Sequence, residues 1–353
     1  MTSLTDLHGV VDVVIGVDTH VDTHAAAAVN AATGGVIAEI NVEATAEGYA
    51  ALVEFADEHA VLRAWAIEGT GCHGAGLARH LARRAELVIE LDRPERAKRR
   101  GGEKSDPLDA VRAAREALAR PRLGTPRQGG DRQALSVLLA ARRSAVQAGT
   151  DAQRQVFSLV IAAPEQIRAR FRGQKVPVMI KTAAALRTSS TWDIQTTTTA
   201  TVLRSLARRA QTLAQEAATH EKAIKTIVRG WRPDLLAQPG VGPIVAATIL
   251  CAWSHPGRIR SEAAFAKLAG VALIKANSGK ITTRHRLNRY GDRQLNKALH
   301  VVALTRLRCH PATRGYAERR TQQGKTPREI KRCLKRYIAR DLYRLLENPP
   351  TRG

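Results

Sequence analysis

The first clear pattern is an unbroken apolar run, Val13–Val17 (VVIGV), that ends on Asp18. A run this short and this apolar predicts a strand covered on both faces. Residues 25–29 (AAAAV) predict a second strand, 31–35 (AATGG) a turn, and 36–42, where apolar residues alternate, a third strand. A helix is predicted from Thr45, with Leu52, Val53 and Phe55 inward, and then a strand Trp65–Ile67 that ends on Glu68. Gly69, Gly71 and Gly74 open a loop, a helix runs through Leu77 and Leu81, and Leu87–Leu91 forms the last strand. Three strands in a meander, followed by alternating helices and strands, predict an α/β RNase H-like (RuvC-like) domain. A Rossmann order would need a crossover helix directly after the first strand.

Beyond the basic stretch 93–104, Ser105 or Asp106 can cap a helix that runs to about Ala119, and Pro121–Gly130 reads as a linker. Two long helices follow. Leu135, Leu138, Arg142, Ala145, Gly149, Ala152, Val156 and Leu159 form one heptad seam, and Leu203, Leu206, Ala210, Leu213, Ala217, His220, Ile224 and Ile227 the other. Such seams fit a helical hairpin packed on itself or a dimerising coiled coil. No element is assigned over 162–198. From 234 the pattern is mainly α: DLLAQPGVGPIVAATIL (234–250) has a helix-hairpin-helix-like form, and 325–346 is an amphipathic basic helix. The division expected is therefore 1–125, an α/β catalytic domain; 126–232, a helical coiled-coil linker; and 233–353, a basic, mainly α domain.

Charge sharpens this division. The net +24 is unevenly spread: residues 1–100 hold 9 Lys and Arg against 15 Asp and Glu, whereas 251–353 hold 24 against 6. An acidic head and a strongly basic tail imply that the tail grips a polyanion, DNA or RNA, while the head does something else. Aromatics make up only 4%, so base stacking is not the expected mode of binding. The first residues lack a signal-like pattern, and Val241–Trp253 is too short to span a bilayer, so no membrane role and a cytoplasmic location are expected. The four cysteines lie far apart, which argues against a zinc site or a disulfide framework.

Asp18 and Glu68 each end an otherwise apolar strand, where an unpaired charge is costly to bury. Asp106 and Asp109, three apart at the start of a helix, share a face. Four carboxylates brought together repel one another unless a cation sits between them, and oxygen-only donors suit Mg²⁺. His20, Asp22 and His24 would share the Asp18 face if that strand continued, and they stand as supporting candidates for the same site. The Gly240-Val241-Gly242 turn, followed by a helix start, offers backbone N–H groups to a phosphate. Ser278 lies in a predicted turn among Lys275, Lys280, Arg284, Arg286 and Arg289, cations able to hold a phosphate beside its hydroxyl. From the residues alone Ser278 reads first as an ordinary turn serine, with a nucleophile as the lesser alternative.

GVDTHVDTH, the strand-ending Glu68, KSDPLDA (104–110), QPGVGPIVAATIL and NSGKITTRHRLNRYGDRQLNKAL, taken in that order, resemble the DEDD transposases of bacterial insertion sequences, a family that includes Piv-type DNA invertases. The resemblance covers nearly the whole chain. It implies a RuvC-like domain whose Mg²⁺ ligands map onto Asp18, Glu68, Asp106 and Asp109, and a C-terminal transposase domain whose catalytic serine maps onto Ser278. It further implies a recombinase that cuts and rejoins DNA through a covalent serine–phosphate link. A noncoding bridge RNA would guide it, and homodimers assembling to a tetramer would share composite sites. The alternatives are a RuvC-like structure-selective endonuclease using water, and a nucleic-acid-binding protein without activity.

Overall fold

The computed structural model describes residues 6–91, 106–275, 285–287 and 291–349; the side chains of 106, 107, 273–275 and 285–287 are outside that description. The chain divides into two units. The first comprises Met1–Gly129 and Ser254–Arg258, the second Gly130–Trp253 and Ile259–Gly353.

The first unit is built on a five-stranded sheet in the order β3-β2-β1-β4-β5. Its strands are β1 (Val13–Thr19), β2 (Thr23–Asn30), β3 (Val36–Glu43), β4 (Arg63–Glu68) and β5 (Val88–Leu91). The first three form an antiparallel meander, and β4 and β5 run parallel to β1. This is the order expected of an RNase H-like sheet. Three helices cover it: α1 (Ala46–His59), α2 (Ala75–Arg83) and α3 (Asp106–Ala119). Val13, Ile15 and Val17 pack with Leu52 and Phe55 of α1 and Leu77 and Leu81 of α2. Val14 packs on the opposite face with Ala110, Ala114 and Ala117 of α3. Cover on both faces explains why VVIGV is continuous rather than alternating. On the edge strand β3, alternate residues are exposed.

Local chemistry fixes the details. The Thr45 hydroxyl accepts from the Gly48 N–H at 3.2 Å, which caps α1 where the sequence predicted its start. Arg63, its side chain 8% exposed, is held by Glu86 at 2.6 Å, and Glu86 also accepts from Trp65 Nε1 at 2.8 Å. Burial alone would raise the Glu86 carboxyl. Arg63 and Trp65 outweigh it and hold the group below the ordinary carboxylate range.

In the second unit, α4 (Gly130–Ala162) and α7 (Ile194–Trp231) pack along one another. A Cβ placed on Gly149 would lie 3.5 Å from Leu213 Cβ, and Arg142 bonds Glu221 at 2.8 Å. The two seams therefore face each other within one chain, as a helical hairpin does. Between them, where the sequence had no assignable pattern, lie α5 (Glu165–Arg168), a 3-10 turn (Ala169–Phe171) and α6 (Val176–Ala184). Ile167, Phe171, Met179, Ile180 and Ala183 supply a small core of their own with Val156 and Leu203.

The remaining elements are α8 (Pro233–Leu236), α9 (Pro243–Trp253), α10 (Glu262–Leu268), β6 (Leu273–Lys275), β7 (His285–Leu287), α11 (Arg293–Cys309), α12 (Pro311–Gln322) and α13 (Pro327–Glu347). The largest core joins Leu135, Ile224 and Val228 to Leu250, Phe265, Leu299 and Leu334. Arg232 clamps the chain end from inside. Its guanidinium pairs with Asp234 at 2.6 Å and donates to the backbone oxygens of Leu345 (2.8 Å) and Leu346 (3.2 Å). No described helix is long and apolar enough to cross a membrane.

Candidate functional site

The strand register sets out the first part of the site. β1 and β4 run parallel with Val17 opposite Ile67, so the next residue on each strand is an acid, Asp18 and Glu68. Side chains alternate along a strand. Gly16 and Ala66 face α3, and two residues further on Asp18 and Glu68 share that face. Both are half-buried at the ends of their strands. Thr19 ties these ends together, its hydroxyl donating to the Glu68 backbone oxygen at 3.1 Å.

The α3 helix reaches this face because β1 carries a glycine. A Cβ on Gly16 would stand 2.0 Å from the Ala110 oxygen and 2.6 Å from the Ala114 nitrogen. Asp109 directly precedes Ala110. Its carboxylate is half-buried and pairs with Arg112 at 2.7 Å. Asp106 begins α3, but its side chain lies outside the described residues.

The histidines separate. His20 stays with the acids, its Nε2 3.1 Å from Asp18 Oδ2. His24 does not. The strand ends at Thr19, a turn intervenes, and His24 returns on β2 opposite Thr19, on the other face. There it is fully buried and stacks on Tyr49, which meets His80 edge-on. Burial lowers its pKa below the ordinary histidine value, and among the described residues Nε2 has no hydrogen-bond partner. Asp22 is exposed in the turn. The single-face arrangement of Asp18, His20, Asp22 and His24 expected from a continuing strand is therefore replaced by a hairpin.

Carboxylate and backbone oxygens are hard donors of the kind that Mg²⁺ prefers. Among the described residues no group of three or more His, Cys, Asp or Glu is placed to hold an ion. The side chain of Asp106, the fourth member of the expected set, lies outside the described residues.

In the second unit, the Gly-x-Gly turn has one constrained and one open glycine. Gly240 adopts φ +79°, and a Cβ there would meet the Val302 oxygen at 3.1 Å; Gly242 has open space on its Cβ side. Arg306 Nε donates to the Pro239 oxygen at 2.9 Å and holds the turn against α11. The helix before the turn, α8, has only four residues. Lys275 ends β6 and Arg286 sits on β7, which pair with Lys275 opposite His285. This hairpin interrupts the otherwise helical region. Ser278, Lys280, Arg284 and Arg289 lie outside the described residues. The base of that segment is tight: a Cβ on Gly291 would stand 2.3 Å from the Gly270 nitrogen, and Asp292 N–H donates to the Leu268 oxygen at 2.6 Å.

Sequence reasoning missed Thr19 and Gly16 as parts of this site. A glycine inside a buried strand is a signal for close backbone approach, and Gly16 carried it.

Comparison with known proteins adds to this picture of a mixed α/β unit with acids at its strand ends and a basic helical unit. Residues 15–161 match the DEDD transposase model named for IS110, and residues 234–318 match the model of the transposase IS116/IS110/IS902 family. Over these two stretches the chain is similar to the IS110/IS116 transposases and to their DEDD domain. Similar proteins include the insertion element IS900 uncharacterized 42 kDa protein of Mycobacterium paratuberculosis, 29% identical over 152 residues, 42% of this chain and 38% of that protein. The insertion element IS110 uncharacterized 43.6 kDa protein of Streptomyces coelicolor is 30% identical over 116 residues, 33% of this chain and 29% of that protein. The alignment thus spans well under half of either relative.

Proposed function

We propose that the protein is a DNA transposase that cuts and rejoins DNA through a covalent link to Ser278, with Mg²⁺ held by Asp18, Glu68, Asp106 and Asp109. The observation that carries this reading is the placement of Asp18 and Glu68 at adjacent ends of parallel strands, on the face covered by α3. A bound Mg²⁺ would supply Lewis-acid stabilisation of the oxygens at phosphorus. The residues of the chain do the rest. Lys275, Lys280, Arg284, Arg286 and Arg289 hold the phosphate, while Gly240 and Gly242 offer backbone N–H groups to the strand. The Ser278 oxygen forms a bond to phosphorus as its proton departs. The P–O bond to the deoxyribose oxygen breaks, and that oxygen takes up a proton. No water is consumed, so the phosphodiester energy is kept and the reverse attack can rejoin a new strand.

The family resemblance further supports a guide RNA and a tetramer of two dimers, the metal half of each site coming from one subunit and the serine half from another. RNA co-purifying with the protein at fixed stoichiometry is the corresponding result. The acids alone would serve equally a nuclease using water.

Trapping on a DNA substrate with Mg²⁺, resolved on a denaturing gel, tests the assignment. A covalent protein–DNA adduct is expected from the wild type and is lost in Ser278→Ala and Asp106→Asn. Free ends with no adduct, and undiminished cutting by Ser278→Ala, would sink the serine reading and leave the nuclease. DNA binding that persists with no cutting by the wild type would leave only a binding protein.

A further inference from the structure

The chain has five tyrosines, and two of them meet on a basic surface of the second unit. Helices α12 and α13 carry ten Lys and Arg against four Asp and Glu. Tyr316 and Tyr337 stand edge to face across them, ring centroids 5.8 Å apart at 86°. Tyr337 is 43% exposed, and the Arg340 guanidinium lies 5.1 Å from its ring centroid.

A large ring left in solvent, braced by a second ring and flanked by a guanidinium, presents a π face beside positive charge. Asp341 lies beside the guanidinium, 3.7 Å from Arg340 Nε. Asp341 also attracts Arg306, which bonds the Pro239 oxygen of the Gly-x-Gly turn.

We propose that Tyr337, backed by Tyr316 and flanked by Arg340, is a stacking platform for an unpaired base of single-stranded DNA. The inference rests on the reading above that the second unit holds DNA. In a duplex each base is already stacked and paired, so a ring of this kind gains little from it. An unpaired strand offers both a free base face and a phosphate for Arg340, and stacking of this type is indifferent to sequence. Cutting and rejoining strands passes through such unpaired segments.

The test uses the full chain and a short oligonucleotide carrying 2-aminopurine, read by fluorescence quenching and by anisotropy. Arms of single-stranded DNA, the same sequence as RNA, and duplex DNA are compared. Tyr337→Ala is expected to weaken single-stranded DNA binding about tenfold and to relieve the quenching. Tyr337→Phe, which keeps the ring, stays within about twofold, and duplex binding is unchanged. If Tyr337→Ala folds poorly, Tyr337→Leu keeps an apolar contact with Tyr316 without a π face and is expected to lose the same affinity. Equal binding by Tyr337→Ala or Tyr337→Leu and wild type overturns the platform, as does an equal loss in Tyr337→Phe. A tyrosine dependence seen with RNA alone overturns the assignment to DNA. A wild type that binds none of the three brings down the underlying reading rather than the platform alone.

Discussion

Gly16→Ala places one methyl group where β1 and α3 touch. Its Cβ would lie 2.0 Å from the Ala110 oxygen, 2.6 Å from the Ala114 nitrogen and 2.9 Å from Ala114 Cβ. Two of these neighbours are helix backbone, so no side-chain rotation relieves the clash. Reaching ordinary contact requires α3 to back away by more than 1 Å, a movement of about the size that costs 100-fold in rate when it misplaces reacting groups. The same movement opens the core of Val14, Ala110 and Ala114. Overpacking of this kind costs about 2–3 kcal/mol, and for a unit of this size that lowers the melting temperature by about 7–11 °C. Asp106 and Asp109 travel with α3, while Asp18 and Glu68 stay on the sheet. Calorimetry on the whole chain and the Mg²⁺-dependent adduct assay should therefore both respond, and adduct formation should stay about 100-fold down at temperatures where the variant is fully folded. A Gly16→Ala protein with wild-type melting would refute the packing argument. One that is less stable but fully active would show that the spacing of α3 and β1 does not set the site.

Three further outcomes concern His24, Arg232 and the Gly-x-Gly turn. His24 has its pKa lowered by burial, so the unfolded chain binds more protons below the ordinary value of 6.5; stability of the first unit should fall as pH drops from 7 toward 5, and His24→Phe should flatten that slope in pH-dependent denaturation. Arg232→Met strands Asp234, whose carboxylate is 13% exposed, and leaves the Leu345 and Leu346 oxygens without their donor, a loss of about 3–5 kcal/mol by urea denaturation. Gly240→Ala should cost about 1–2 kcal/mol because of its positive φ, whereas Gly242→Ala, with open space, should stay within about 0.5 kcal/mol. Any loss of DNA affinity in Gly242→Ala then reports on backbone approach rather than on folding.

Elements with strong periodicity were legible in the sequence. VVIGV, AAAAV and the Thr45 cap led directly to β1, β2 and α1 because burial and capping act over a few neighbouring residues. The middle of the chain was not legible. In α5, the 3-10 turn and α6, Ile167, Phe171, Met179 and Ile180 are buried against α4 and α7, partners distant in sequence, so no local period reveals them. The seams of α4 and α7 were visible, but a heptad is the same whether its partner is the same chain or another. Only contacts such as Arg142 to Glu221 separate the two.

The candidate acids illustrate the same limit within a single motif. In DTHVDTH the spacing of two suggests one face for Asp18, His20, Asp22 and His24, and that inference holds only while the strand continues. The turn after Thr19 breaks the alternation: His20 remains beside Asp18, and His24 crosses to the α1 side, where its ring packs on Tyr49. One histidine of the pair therefore stays hydrogen-bonded to Asp18, while burial of the other makes the opposite face of the sheet pH-sensitive. The place of Asp18 and Glu68 at the strand ends was readable because nothing in a strand core favours a carboxylate, and their sharing of one face depends on a single register. Shifting β4 by one residue against β1 would turn Glu68 to the α1 and α2 face and leave Asp18 alone. The Thr19 hydroxyl on the Glu68 carbonyl holds that register at the point where the strands end. Thr19→Val, which keeps the shape and removes the donor, therefore tests whether the pairing of the acids rests on this bond or on the core beneath it.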